Sequence, residues 1–203
     1  ADLSVWDDFG VWHIDYARNG FGTWEVHVLS GFNGPTAEPV PADYDGDGKA
    51  DLSVKNDSGG WIIDYACDGF GPWDVGFSSY GDAFARPVPA DYDGDGKADL
   101  SVKEDAGTWR IDYAANGFGV WDASFVSVAG RPIPGNYNLT AGADLAVRAD
   151  CGPWYIRPSS GNALRWQRID STDAWRNTVT VRDRYGLLQT LRSDFQGVIN
   201  IPT

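Results

Sequence analysis

Basic residues are scarce in this chain: 16 Lys plus Arg stand against 29 Asp plus Glu, a net charge of −13. Duplex nucleic acid and anionic membranes are therefore poor partners, since both recruit basic patches. Long apolar runs are missing too, and none approaches the roughly 20 residues of a membrane span, so no membrane insertion is expected. Methionine is absent, and neither an initiator Met nor a signal peptide opens the chain. The visible start is accordingly expected to be a processed or excised end. Cysteine occurs twice, at Cys67 and Cys151, and histidine twice, at His13 and His27.

Aspartate and glycine are abundant, and they are patterned. Asp43-Tyr-Asp45-Gly-Asp47-Gly-Lys49-Ala-Asp51-Leu recurs unchanged at Asp91-Tyr-Asp93-Gly-Asp95-Gly-Lys97-Ala-Asp99-Leu, 48 residues later. Carboxylates at alternate positions of a tight loop can turn inward on one hard cation, because calcium takes six to eight oxygen ligands at about 2.3–2.6 Å. Asp43, Asp45, Asp47 and Asp51 would supply side chains and Lys49 a main-chain carbonyl. The loop is not an EF-hand. Its twelfth position is Val54 where an EF-hand has a bidentate Glu, and its exit, Asp51-Leu-Ser-Val-Lys55, alternates like a strand. Four acids within nine residues repel one another unless a cation compensates them.

Aligned on the loop, the chain contains four repeats. The exit strands are Asp2-Leu-Ser-Val5, Asp51-Leu-Ser-Val54, Asp99-Leu-Ser-Val102 and Asp144-Leu-Ala-Val147. Trp-led segments follow at Trp12–Tyr16, Trp61–Tyr65, Trp109–Tyr113 and, divergently, Trp154–Arg157. In the first three, a turn and a second Trp close the unit: Asn19-Gly-Phe-Gly-Thr-Trp24, Asp68-Gly-Phe-Gly-Pro-Trp73 and Asn116-Gly-Phe-Gly-Val-Trp121. Asn-Gly and Asp-Gly between alternating apolar runs predict type I′ hairpins. Pro39–Asp43, Arg86–Asp91 and Arg131–Asn136 are read as the strands leading into each loop, irregular because proline cannot donate to a ladder.

A period of 45–49 residues with about four short strands per unit predicts an all-β fold: a calcium-stabilised β-propeller of about four four-stranded blades, with room for a fifth. The expected units are about 1–37, 38–85, 86–130 and 131–170. Residues 171–203 differ. Residues 1–143 hold 23 acids and 8 Lys plus Arg, whereas residues 144–203 hold 6 acids and 8 Arg. Three strands are read in the tail, at Thr178–Asp183, Leu187–Leu191 and Val198–Ile201. They either close the propeller by supplying the strand that blade one lacks, cap it, or begin a following module. The balance inclines to closure.

The loops and Trp-led strands resemble the FG-GAP and VCBS families of calcium-loop repeats, which occur in integrin-type propellers and in many bacterial extracellular proteins. The resemblance covers roughly residues 1–170, and the nine-residue Asp loop is its specific part. It implies that the loop joins the first and second strands of a blade. It carries over two sets of calcium ligands: Asp43, Asp45, Asp47, Lys49 (carbonyl) and Asp51, then Asp91, Asp93, Asp95, Lys97 (carbonyl) and Asp99. The third loop, Asn136-Tyr-Asn138-Leu-Thr140-Ala-Gly142-Ala-Asp144, keeps the length but one carboxylate and neither internal glycine, so two calcium sites are expected, not three. Sites of this kind fill at the millimolar calcium found outside cells, which favours an extracellular location.

Cys67 would end the third strand of blade two and Cys151 would precede that of blade four. A disulfide needs Cα atoms about 4.4–6.8 Å apart, so no bridge is expected. Eight of the ten tryptophans recur at repeat positions and are assigned to packing between blades. Trp6 and Trp175 break the pattern and are the candidate ligand-stacking residues. The Asp15-Tyr16, Asp64-Tyr65 and Asp112-Tyr113 pairs are expected to satisfy hydrogen bonds at blade edges. Catalysis finds little support: His13 and His27 occupy positions filled elsewhere by other residue types, with no recognisable nucleophile or metal-spaced partner. The chain is thus read as a non-catalytic binding or adhesion module of a secreted or cell-surface protein, directed at glycans or a cell-surface protein. Two alternatives stay open, a domain of a polysaccharide-degrading enzyme and a structural spacer within a larger surface protein or toxin.

Overall fold

The alternating segments fold as successive antiparallel meanders. The computed structural model describes residues 2–29, 31, 37–149, 152–159 and 165–169, and the backbone of three later strands. Blade one contains β1 (Leu3–Trp6), β2 (Val11–Asp15) and β3 (Val26–Leu29). Blade two contains β4 (Ala37–Pro39), β5 (Leu52–Asn56), β6 (Trp61–Asp64) and β7 (Val75–Phe77). Blade three contains β8 (Ala85–Pro87), β9 (Leu100–Glu104), β10 (Thr108–Asp112) and β11 (Ala123–Val126). Blade four contains β12 (Arg131–Pro132), β13 (Leu145–Arg148), β14 (Trp154–Arg157) and β15 (Gln167–Ile169). In each sheet, neighbours in space are neighbours in sequence, the arrangement of propeller blades. The fold is all-β and propeller-like.

Three strands follow, β16 (Thr178–Arg182), β17 (Leu188–Ser193) and β18 (Ile199–Asn200), close to where the tail's alternation places them. They pair with one another as a separate sheet, and among the described strands β1 pairs with β2 alone.

The Leu-Ser-Val-Lys strand has a different neighbour on each face. Leu52 and Val54 pack with Trp12, Ile14 and Val28 of blade one, while Trp61 and Ile63 pack with Leu100 and Val102 of blade three. Blade three meets blade four in the same way, through Trp109, Ile111, Leu145 and Val147. The serine shares a face with the Trp: the Trp61 indole N–H donates to Ser53 Oγ at 2.7 Å, and Trp109 to Ser101 Oγ at 2.8 Å. A buried indole thus keeps its hydrogen bond.

Because each blade covers the next one's exit strand, blade one carries an uncovered face. Leu3 and Val5 are 50% and 49% exposed, whereas Leu52 and Val54, at the same repeat positions, are buried. Trp24, expected in a core, is 42% exposed for the same reason. Its equivalents Trp73, Trp121 and Trp166 each reach back onto the preceding blade, and no described residue precedes blade one to receive it.

Two local expectations are corrected. The Asn-Gly pairs do not form type I′ turns, since neither Asn19 nor Asn116 has positive φ. Each instead ends a 3-10 turn, Ala17–Asn19 or Ala114–Asn116, followed by Gly20 or Gly117 at φ 84°. The longer connection is held by tertiary hydrogen bonds, which override the dipeptide preference. The lead-in strands also begin earlier than read, with β4 covering Ala37–Pro39 and β8 covering Ala85–Pro87. Pro41 and Pro89 interrupt them before isolated bridges at Ala42–Asp51 and Ala90–Asp99 resume the pairing.

Candidate metal centres

The first aspartate loop is folded by its own side chains. Asp43 accepts the N–H groups of Gly46 and Gly48 at 2.7 and 2.9 Å. Both glycines lie at φ above +80°, where a side chain would be strained, and that curl brings successive N–H groups toward one carboxylate. Asp45 accepts the Asp47 N–H, and Asp47 accepts both the N–H and the ammonium of Lys49. Buried Asp51 takes the N–H of Tyr44 on one oxygen and that of Ala66 on the other, tying the loop to the Trp-led strand's exit. The second loop repeats the backbone part of this pattern at Asp91, Asp93, Asp95 and Asp99, with Asp95 taking the Lys97 N–H alone.

Three carboxylates converge in each loop. Asp43, Asp45 and Asp51 each bring an oxygen to a group spanning at most 4.8 Å, and so do Asp91, Asp93 and Asp99. Asp47 and Asp95, also expected as ligands, lie outside these groups. Burial pushes the Asp99 carboxyl up to about 7, and the charges of Asp93 and Asp91 add to it. Asp51 and Asp93 are raised too, again chiefly by burial. Three converging carboxylates, with Asp51 in the first loop and Asp93 and Asp99 in the second made harder to ionise by burial, are what a hard cation neutralises, so the residues present fit calcium.

The third loop lacks this chemistry and keeps the architecture. Asp144 still accepts the N–H groups of Tyr137 and Ser159, each at 2.9 Å. The ninth-position aspartate therefore has a structural role that does not depend on metal. Leu139 adopts φ 59° where the other loops have Gly46 and Gly94. Consecutive loops are also joined: the Ala98 N–H donates to the Asp43 carbonyl at 2.7 Å, and the Ala143 N–H to that of Asp91.

Residues 43–102 match the family model of the FG-GAP-like repeat. The match begins at the first carboxylate of loop one and runs through loop two into β9, so it takes in both carboxylate groups and the strands β5 to β8 between them. The search of curated proteins finds no match. No helix among the described residues is long and apolar enough to cross a membrane.

The other candidates divide. Trp6 is half-buried against the core between blades one and two, at the position held later by Lys55, Lys103 and Arg148, and its indole N–H has no partner. Trp175 and Cys151 lie outside the described residues, while Cys67 is exposed. Asp15, Asp64 and Asp112 do satisfy edge hydrogen bonds, accepting the N–H groups of Gly22, Gly71 and Gly119. Tyr80 also donates its hydroxyl to Asp112, joining blade two to blade three.

The two histidines meet each other, a pairing that the sequence reading did not anticipate. His13 and His27 are direct cross-strand partners, with Nδ1 atoms 2.8 Å apart, and His13 Nε2 meets Asp7 Oδ2 at 3.0 Å. Their positions one strand apart on a shared register were the signal. No described hydroxyl or thiol is hydrogen-bonded to either ring.

Proposed function

We propose that this chain is a calcium-stabilised, propeller-type binding module that works outside cells without catalysing a reaction. The observation that carries the reading is the pair of three-carboxylate groups at matching places in two loops, each loop packed on the next. A cation bound in each would hold a loop whose carbonyl in turn holds the following blade's entry. Calcium is thus proposed as a scaffold ion, with Asp43, Asp45 and Asp51, and Asp91, Asp93 and Asp99, as its side-chain ligands. To join, Asp47 would have to leave the Lys49 ammonium and N–H, and Asp95 the Lys97 N–H.

Glycans are the proposed ligand class, supported by the chain's aromatic richness, with ten tryptophans and nine tyrosines. Shallow stacking sites recover little beyond the cost of association, so affinities are expected in the micromolar to millimolar range. A glycan array probed with and without calcium tests this reading. Binding that falls on calcium removal supports it, and Trp175→Ala should weaken binding without lowering the melting temperature. Silence at millimolar glycan together with turnover of a polysaccharide would replace it with the enzyme reading.

A further inference from the structure

A third acidic group lies in the connection between β6 and β7. Asp64, Asp68 and Asp74 each bring a carboxylate oxygen to a cluster spanning at most 4.8 Å. Exposed acids gather at many surfaces without a metal, but Asp64 is not exposed. Its side chain is 1% accessible, one oxygen accepts the Gly71 N–H at 2.9 Å, and Oδ1 is buried with no hydrogen-bond partner. A buried carboxylate oxygen without a donor is costly unless a cation meets it.

The repeats supply an internal comparison. In repeats one and three, Asn19 and Asn116 donate their side-chain amides to Glu25 and Asp122, whose other oxygens take the N–H groups of Tyr16 and Tyr113. In repeat two, Asp74 keeps the matching bond from the Tyr65 N–H at 2.7 Å, but Asp68 stands where the asparagine would be. A neutral donor has been exchanged for a third carboxylate beside a buried, unpartnered oxygen. The same buried oxygen recurs at Asp15 and Asp112, where two carboxylates and an amide donor leave the set incomplete.

We propose that Asp64, Asp68 and Asp74 bind a hard divalent cation, calcium, in repeat two. Asp64 anchors the ion from beneath the surface, Asp68 and Asp74 close over it from the solvent side, and water completes the six to eight oxygens calcium requires. The site is separate from the aspartate loops and does not depend on their binding metal.

The experiment is a calcium titration by calorimetry and equilibrium dialysis on the full chain, comparing wild type with Asp68→Asn. That variant installs the residue found in repeats one and three, so its fold is expected to survive. Its melting temperature in chelator should equal or exceed that of wild type, because a repulsive carboxylate is gone. The proposal expects Asp68→Asn to take up one calcium ion fewer per chain and to gain less in melting temperature from added calcium. Equal uptake by the two proteins overturns it. A wild type that binds one ion, and an Asp68→Asn variant that binds none, would uphold this site while rejecting the loop sites.

Discussion

Stripped of calcium, the protein is expected to become less stable as the pH rises from about 4 to about 7, because burial lifts the Asp99 carboxyl in the folded state. Its ordinary value is 3.8 and its folded value is about 7. Between these limits the native state holds a proton that the unfolded state has released, so stability is fully present below the lower value and is lost as the pH climbs to the upper one. Roughly three units at about 1.4 kcal/mol each set an upper limit of about 4 kcal/mol. For a chain of this size that is on the order of 10 °C in melting temperature. Asp51, Asp64 and Asp112 are raised as well and act in the same direction. Calcium competes for the ionised form and restores about 2.7 kcal/mol per site at a hundredfold excess over Kd. Scanning calorimetry of chelator-stripped protein at pH 5, 6.5 and 8, with and without calcium, should show a melting temperature that falls with pH, and falls more steeply when calcium is absent. A stripped protein whose melting temperature is flat or rises over this range would refute the reasoning.

Three further outcomes are expected. Asp45→Ala and Asp93→Ala each remove one carboxylate from a converging group and should each abolish one loop site in a calorimetric titration, while Asn138→Ala leaves the stoichiometry unchanged. Leu100→Ala empties a fully buried position between blades two and three and should cost about 2–5 kcal/mol in urea unfolding. Leu3→Ala, at the same repeat position on the uncovered face, should cost less than about 1 kcal/mol, and equal costs would contradict the blade-on-blade account of the core. Gly94→Ala places a Cβ 2.7 Å from that of Ala141 at a backbone φ of +84°, so it should lower the melting temperature in both apo and calcium-loaded protein.

What the sequence determined by itself is local or repeated. Alternate aspartates and glycines act over nine residues, so the loops could be located before any fold was known, but the sequence grouped four carboxylates in each, and only the structure leaves the fifth-position Asp47 and Asp95 outside the converging three. The Leu-Ser-Val and Trp-led strands recur at a blade's spacing, which made the all-β architecture and the buried Trp61 and Trp109 legible. Tertiary structure decided whatever depends on a neighbour. Trp24 carries the same repeat signature as Trp73, and its exposure follows from the lack of a described blade before it. Asn19-Gly20 has a hairpin's composition, but the tertiary bonds of a longer connection turn it otherwise. His13, His27 and Asp7 meet because two strands pair in one register, and Asp64 joins Asp68 and Asp74 because a ten-residue connection folds back over a buried oxygen. Short-range preferences can be read along the chain, whereas burial and convergence are properties of segments that meet only after the blades stack.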